Sequence, residues 1–178
     1  MVRVHPLVGA AGEVLGVLKA VSDVNPAFMT TDEKAEALLA LSTAQAVLAE
    51  ARLRVLAVAG DVAEAHGARD VGVWLAAATR VRRGEAAADL RLARVLDTDL
   101  PVLAAGLREG RVNVGQAHAV ARAIAELPTH VGGEVRARAE AHLVDQCANF
   151  GPVEITRLGR GILDAVAPEI AEAIEAQR

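Results

Sequence analysis

Apolar residues recur at helical spacing along most of the chain, and the breaks between these runs mark the ends of the predicted elements. The first run covers residues 7–21 and ends where Ser22-Asp23-Val24-Asn25-Pro26 introduces turn-forming residues. Thr30 followed by Glu33 predicts a capping box, in which the hydroxyl serves a helical amide and the carboxylate reaches back. A second helix should therefore start there and extend to about Leu41.

The following stretch predicts the longest helix, over about 43–65, which only Gly60 interrupts. Ser42 with Gln45 repeats the capping-box pattern. Either a new helix starts at Ser42, or one helix continues through it with a bend.

Two pairs of short helices follow, over about 71–96 and 101–127, and each pair is joined by a turn of about four residues. This is the length pattern of a helix-turn-helix, whose second helix lies in the DNA major groove. No segment alternates with a period of two. The predicted fold is all-α, a multi-helix bundle with one long helix (about 43–65) and two helix-turn-helix-like pairs. Further helices are predicted over about 134–148 and from Pro152 to about Val166, and a polar tail helix after Pro168.

Composition supports this prediction and excludes several kinds of site. Hydrophobic residues make up 53% of the chain but aromatic residues only 2%, and the apolar residues are mainly Ala, Leu and Val. The single Cys147 excludes an intrachain disulfide and a cysteine-based zinc cage. No apolar run reaches the roughly 18 residues of a membrane span, and Glu13 interrupts what would be a signal segment. We expect a cytoplasmic protein with no membrane association.

Positive charge is concentrated in the middle of an acidic chain. The formal net charge is -4, yet residues 71–122 hold 8 basic and 5 acidic side chains and so carry +3. Residues 1–70 carry -3 and residues 123–178 carry -4. This distribution argues against a general nucleic-acid coat but permits a local anion-binding surface.

Arginines on the second helix of the first pair form the leading candidate site. On a helical wheel Arg83, Arg91 and Arg94 fall within about 80° of one another, while Glu85 and Asp89 lie on the opposite side. Arg80 and Arg82 enter from the preceding turn. Such a face suits phosphates, and arginine can also bind guanine O6 and N7. The alternative is an ordinary solvated face, or one that forms ion pairs with the acidic flanks.

The turn of the second pair supplies secondary candidates for DNA contact. Arg111, Asn113, Gln116 and His118 lie at the start of a predicted helix and could point towards a groove. The alternative is that Asn113 and Gln116 simply cap this helix.

No catalytic, metal or small-molecule site is predicted, and no cofactor. The five histidines lack the spacing of a zinc motif, and no phosphate-binding loop or nucleophile elbow is present. A competing hypothesis is a protein-interaction or homodimerisation domain that pairs through a small-residue seam on the long helix. The seam consists of Ala46, Ala49, Leu53, Leu56 and Ala57.

Several short segments together resemble the actinobacterial 13E12-repeat family, also called domain of unknown function 222. They are Trp74-Leu75, Thr79-Arg80-Val81, Leu90 to Leu96, Leu107 to Arg111, Gln116-Ala117, Ala141 to Val144, and Leu163 to Pro168. The resemblance covers about residues 30–168. It divides the chain into an N-terminal helix and loop (1–29), the helical domain (30–168) and a polar tail helix (169–178).

The resemblance implies a functional setting that the residues do not show. Members of the family often continue into a C-terminal HNH endonuclease domain and occur in mycobacteria, sometimes near prophage. We therefore expect a DNA-binding accessory or targeting module of such a protein. One residue departs from the family, in which Ser or Thr often occupies the position of Arg82, the expected N-cap of the second helix.

Overall fold

The computed structural model describes residues 4–128 and 131–162, which form nine α-helices and one short 3₁₀-helix. The prediction of an all-helical fold is confirmed, since this part of the chain contains no strand. The helices are α1 (Pro6–Ala20), α2 (Thr31–Val58), α3 (Gly60–Ala65), α4 (Val71–Thr79), α5 (Arg83–Thr98), α6 (Pro101–Arg108), α7 (Val114–Ala125), α8 (Gly133–Gln146) and α9 (152–162), with the 3₁₀-helix at Pro26–Phe28.

The chain divides into two compact units, Met1–Leu41 and Ser42–Arg178. In the first unit, α1 begins at Pro6, and the side chain of His5 accepts a hydrogen bond from the Leu7 N–H. The predicted capping box is present: the Thr30 N–H donates to Glu33 Oε2 over 2.7 Å, and the Glu33 N–H donates to Thr30 Oγ1 over 3.2 Å. The hydrogen bond from the Thr30 backbone lowers the pKa of Glu33.

The long helix has different bounds from those predicted. α2 begins at Thr31, continues through Ser42 without interruption and ends at Val58, and Gly60 starts the separate helix α3. The alternative in which one helix continues through Ser42 is confirmed, and the stretch over about 43–65 is divided at Gly60, the residue that interrupted its predicted helix. No residue between the capping box and Ser42 disfavours a helix, so α2 continues through that point. Glycine has a low helix propensity, and Gly60 therefore favours the break at Ala59 between α2 and α3.

The core of the second unit is built from small and branched aliphatic side chains. Its largest fully buried side chains are Leu53, Leu92, Leu103, Leu107, Leu143, Ile155, Val112 and Val120. The seam predicted to join two copies belongs to this core: Ala46, Leu53 and Leu56 are buried, and Ala49 and Ala57 are half-buried. That surface is therefore unavailable for dimerisation, because the apolar face of α2 is covered by the chain's own helices.

Two glycines show how closely the helices pack. A Cβ atom on Gly159 would collide with the Cβ atom of Ala123, so α9 approaches α7 at a point where both residues must be small. Gly110, after α6, has φ +72, and a Cβ atom there would collide with Thr43 on α2. The many small residues of this sequence therefore allow the helices to pack closely.

A buried carboxylate caps α6 from another helix. Leu100, at the N-cap of α6, makes no side-chain capping bond, and Pro101 has no amide hydrogen. Glu140 on α8 supplies the missing acceptor, since the Leu103 N–H donates to Glu140 Oε1 over 2.8 Å. Glu140 is 2% exposed, and burial raises the pKa of its carboxyl group although this hydrogen bond opposes the shift.

The remaining predicted helices agree with the structure to within a few residues. α4 to α8 lie where the two predicted pairs and the helix over about 134–148 were placed, and Pro152 begins α9. The predicted tail helix over 169–178 lies outside the described residues. Among the described helices, none has both the length and the apolar character that crossing a bilayer requires.

Candidate nucleic-acid interface

The turn between α4 and α5 is tightly shaped. Asp70 caps α4, because its Oδ1 accepts a hydrogen bond from the Val73 N–H over 2.9 Å, and this bond lowers the pKa of Asp70. α4 ends at Thr79, and the C-cap residue Arg80 that follows has a left-handed conformation with φ of 63 and ψ of 19. A side chain in this conformation is uncommon and costs about 1 kcal/mol. The turn therefore places Arg80 where glycine is usual, with its side chain exposed.

α5 presents its arginines to solvent because its other face is buried. Ala86, Asp89, Leu90, Leu92 and Ala93 form the buried face. The side chains of Arg83, Arg91 and Arg94 are exposed, as are those of Arg80 and Arg82 in the turn. These five residues are called the arginine face below.

Asp89 connects the buried side of α5 to two other helices. Arg52 Nη2 on α2 lies 2.5 Å from Asp89 Oδ2, and His118 Nε2 on α7 lies 3.4 Å from Asp89 Oδ1. The carboxylate is nearly buried, whereas Arg52 and His118 remain partly exposed. Asp89 therefore fixes the orientation of α5. The sequence offered one signal of this, an acidic residue among the apolar positions of an amphipathic helix.

Among the described residues, no acidic side chain forms an ion pair with the arginine face. None of its five guanidinium groups forms an ion pair with a side chain in 4–128 or 131–162. Other arginines are paired: Arg108 and Arg54 with the buried Glu50, Arg69 with Asp70, and Arg122 with Glu126. The exposed Arg138, Arg157 and Arg160 also lack such a pair, but they lie on α8 and α9. The α4–α5 segment therefore carries five exposed arginines that form no ion pair within 4–128 or 131–162.

The secondary candidates have different surroundings from one another. Arg111 is exposed and pairs with Glu109 over 2.6 Å. His118 is partly exposed and lies against Asp89. Asn113 is exposed and caps α7, because its Oδ1 accepts a hydrogen bond from the Gln116 N–H over 2.9 Å. The structure therefore leaves Arg111, Asn113 and His118 at the surface but gives each an internal partner.

Gln116 serves the fold. It is 6% exposed, and its Oε1 accepts a hydrogen bond from the Asn113 N–H over 3.0 Å. Its Nε2 donates to the carbonyl oxygens of Cys147 and Phe150 over 2.8 and 2.7 Å. Both amide hydrogens are therefore used, and Gln116 has no donor left for a base. The capping role that the sequence offered as an alternative is the role that Gln116 has here.

We expect Gln116→Ala to destabilise the protein by about 2 kcal/mol, because it removes half of a capping box and leaves two carbonyl groups without their donor. Urea unfolding followed by circular dichroism measures this change. Gln146→Ala, at a half-buried position at the end of α8, is the control and should change stability by less than about 0.5 kcal/mol. Unchanged stability of Gln116→Ala would contradict the structural role.

Arg82 is the N-cap residue of α5 and makes no side-chain capping bond. We expect Arg82→Ser to stabilise the protein by about 1 kcal/mol, because a hydroxyl group can accept a hydrogen bond from a first-turn amide. Thermal unfolding measures the gain, and Arg82→Ala, which adds no acceptor, is the matched control. Equal unfolding temperatures for the two variants would show that the α5 N-terminus cannot use a capping side chain.

No catalytic constellation is evident in the part of the chain that the structure describes. Across 4–128 and 131–162, no three His, Cys, Asp or Glu side chains converge as metal ligands would. Cys147 is buried, and burial raises the pKa of its thiol to about 11, whereas the nearby His142 is exposed. A thiol with this pKa is protonated at neutral pH and is a poor nucleophile.

Comparison with known proteins identifies the family of the chain. The family model described as "Domain of unknown function (DUF222)" matches residues 31–178, and the chain belongs to that family. No curated protein matches the chain, and no solved structure does. The match begins at Thr31, the first residue of α2, and contains both helix pairs and the arginine face.

Proposed function

We propose that this chain is a DNA-binding domain that contacts phosphates through the arginine face of α4–α5. The observation that carries the proposal is the set of five exposed guanidinium groups without an ion pair among the described residues, in a protein that pairs many of its other arginines. Unpaired cations held close together repel one another, and a polyanion relieves that repulsion.

The order of the two helices supports a helix-turn-helix mode of binding. α4 and α5 are joined by a short turn at Arg80, and α5 follows with three arginines on its exposed side. In this mode the second helix enters the major groove, and residues in the turn contact the backbone. Arg83, Arg91 and Arg94 would then lie along the groove, and Arg80 and Arg82 would approach a phosphate.

The biological setting of the proposal comes from the family. The resemblance to 13E12-repeat proteins leads us to propose that the domain targets an HNH endonuclease to DNA, in the cytoplasm of an actinobacterium. The nuclease domain would supply the metal and the catalytic residues. The helical domain would supply the affinity for DNA.

A mobility-shift titration tests the central claim. The full chain is titrated onto a pool of random 30-base-pair duplexes at about 50 mM and about 200 mM salt, which separates phosphate contacts from other interactions. We expect binding at the lower salt concentration and a steep loss at the higher one. Absence of any shift at 50 mM salt, with protein at tens of micromolar, rejects the proposal.

A further inference from the structure

Three turns between helices in the described part of the chain contain a residue with a left-handed backbone. These residues are Gly67 before α4, Arg80 before α5 and Gly110 before α7, with φ of 63, 63 and 72. Glycine has no Cβ atom and adopts this conformation without a steric cost, whereas an arginine does not. Arg80 therefore occupies a position that glycine occupies in the other two turns.

The helices that follow these turns show the same contrast at their N-cap residues. Asp70 and Asn113 each accept a hydrogen bond from a first-turn amide, of α4 and α7 respectively. Arg82 makes no side-chain capping bond to α5. A guanidinium group cannot accept a hydrogen bond, and the N-terminal end of the helix dipole repels its positive charge. The turn before α5 thus carries arginine at two positions, 80 and 82, where the backbone favours other residues.

Neither of these two side chains contributes an ion pair to the fold. Arg80 and Arg82 are exposed, and neither guanidinium group pairs with an acidic side chain within 4–128 or 131–162. Arg80 interacts favourably with the C-terminal end of the α4 dipole, but this gain is smaller than the cost of its left-handed backbone. Residues that oppose the local backbone preference occur most often at functional sites.

We propose that Arg80 and Arg82 form a phosphate anchor, in which both guanidinium groups bind the DNA backbone beside the turn before α5 at the expense of local stability. The planar guanidinium group donates paired N–H bonds to phosphate oxygens. A phosphate beside this turn would also offset the repulsion between Arg82 and the α5 dipole. Because phosphates repeat along every duplex, the anchor is independent of base sequence. This role depends on the proposed DNA-binding function and assigns its backbone contacts to two named residues.

Arg80→Gly combined with Arg82→Ser, called the turn variant below, tests the anchor in the full chain. We expect its unfolding temperature to rise by roughly 4 °C, because it relieves the left-handed backbone and supplies a capping hydroxyl group. Its affinity for a labelled duplex at about 50 mM salt should fall about 20-fold, and the slope of log affinity against log salt should become shallower by nearly two units. Circular dichroism during heating and fluorescence anisotropy measure these two changes. A more stable variant that binds DNA more weakly has not lost binding through damage to the fold.

The matched control removes the same charge elsewhere. Arg157→Ala combined with Arg160→Ala replaces two exposed arginines of α9, and the affinity should stay within about twofold because these side chains would meet no phosphate. Three results would each overturn the anchor while leaving DNA binding by the domain intact: equal affinity of the turn variant and the wild type, a lower unfolding temperature of the turn variant, or an equal loss of affinity in the control. Absence of binding by the wild-type chain would instead reject the proposed function, and the anchor with it.

Discussion

Replacing Arg83, Arg91 and Arg94 together with alanine is expected to weaken DNA binding by about 100-fold at low salt, because three exposed cations on one face of α5 would no longer meet phosphates. The slope of log affinity against log salt should become shallower by between two and three units, at about 0.9 per lost phosphate contact. Fluorescence anisotropy on a labelled duplex at several salt concentrations measures both quantities. Contacts to phosphate would weaken binding to all sequences alike, whereas a contact to guanine would also relax sequence preference.

The control for this variant has the same loss of charge elsewhere. Arg138→Ala, Arg157→Ala and Arg160→Ala together remove three exposed arginines of α8 and α9 that also have no ion pair among the described residues. If binding depends on net charge alone, the two triple variants lose affinity equally. A loss confined to the α5 variant supports a defined interface, and an equal loss contradicts it.

Replacing Glu140 with alanine is expected to destabilise the protein by about 3 kcal/mol. The change leaves the buried N–H of Leu103 without an acceptor and opens a cavity between α6 and α8. Chemical unfolding at pH 7 measures the loss. The control is Glu134→Ala, at an exposed position in the first turn of the same helix, which should cost about 0.5 kcal/mol or less. A comparable small loss for Glu140→Ala would show that α6 does not need this cap.

Glu140→Gln separates the charge of this residue from its hydrogen bond. Because the folded protein raises the pKa of Glu140, the fold favours the protonated carboxyl group over the carboxylate. The contribution of Glu140 to stability is therefore greatest below its ordinary pKa and decreases as the pH rises through the raised value. Relative to Glu140→Gln, the wild-type protein should lose stability as the pH rises through this range. A difference that is independent of pH would contradict burial of an ionisable group.

Helix starts were predictable from the sequence because each depends on a few neighbouring residues. Thr30 with Glu33, Asp70, and Asn113 with Gln116 each carry a side-chain acceptor at the distance that a free helical amide requires, and all three caps are present. The weak cap at Arg82 was predictable in the same way, since a guanidinium group cannot accept a hydrogen bond. The bounds of the long helix were not predictable, because whether a helix continues through Ser42 or stops before Gly60 depends on small differences in free energy.

The roles of the polar residues were harder to predict. The sequence around Gln116 is the same whether its side chain caps a helix or contacts DNA. Only the positions of the Cys147 and Phe150 carbonyl groups show that the side chain has a structural role. Among the described residues, the buried acids Glu50, Asp89 and Glu140 belong to no sequence motif. Each accepts a hydrogen bond from a residue at least 37 positions away along the sequence, so the chain must fold before the two groups meet.

The sequence by itself determined the class of fold, the order of the helices and the grouping of arginines on one side of α5, because these features follow from helical periodicity and local capping. Only the tertiary structure decided which apolar side of α2 enters the core. The competing hypothesis from the sequence used the seam that contains Ala46, Leu53 and Leu56 as a surface for a partner, whereas the structure buries these residues and exposes Leu48, Val55 and Val58 on the opposite side. Both sides are apolar enough to be covered, and the choice depends on packing against helices that come later in the chain.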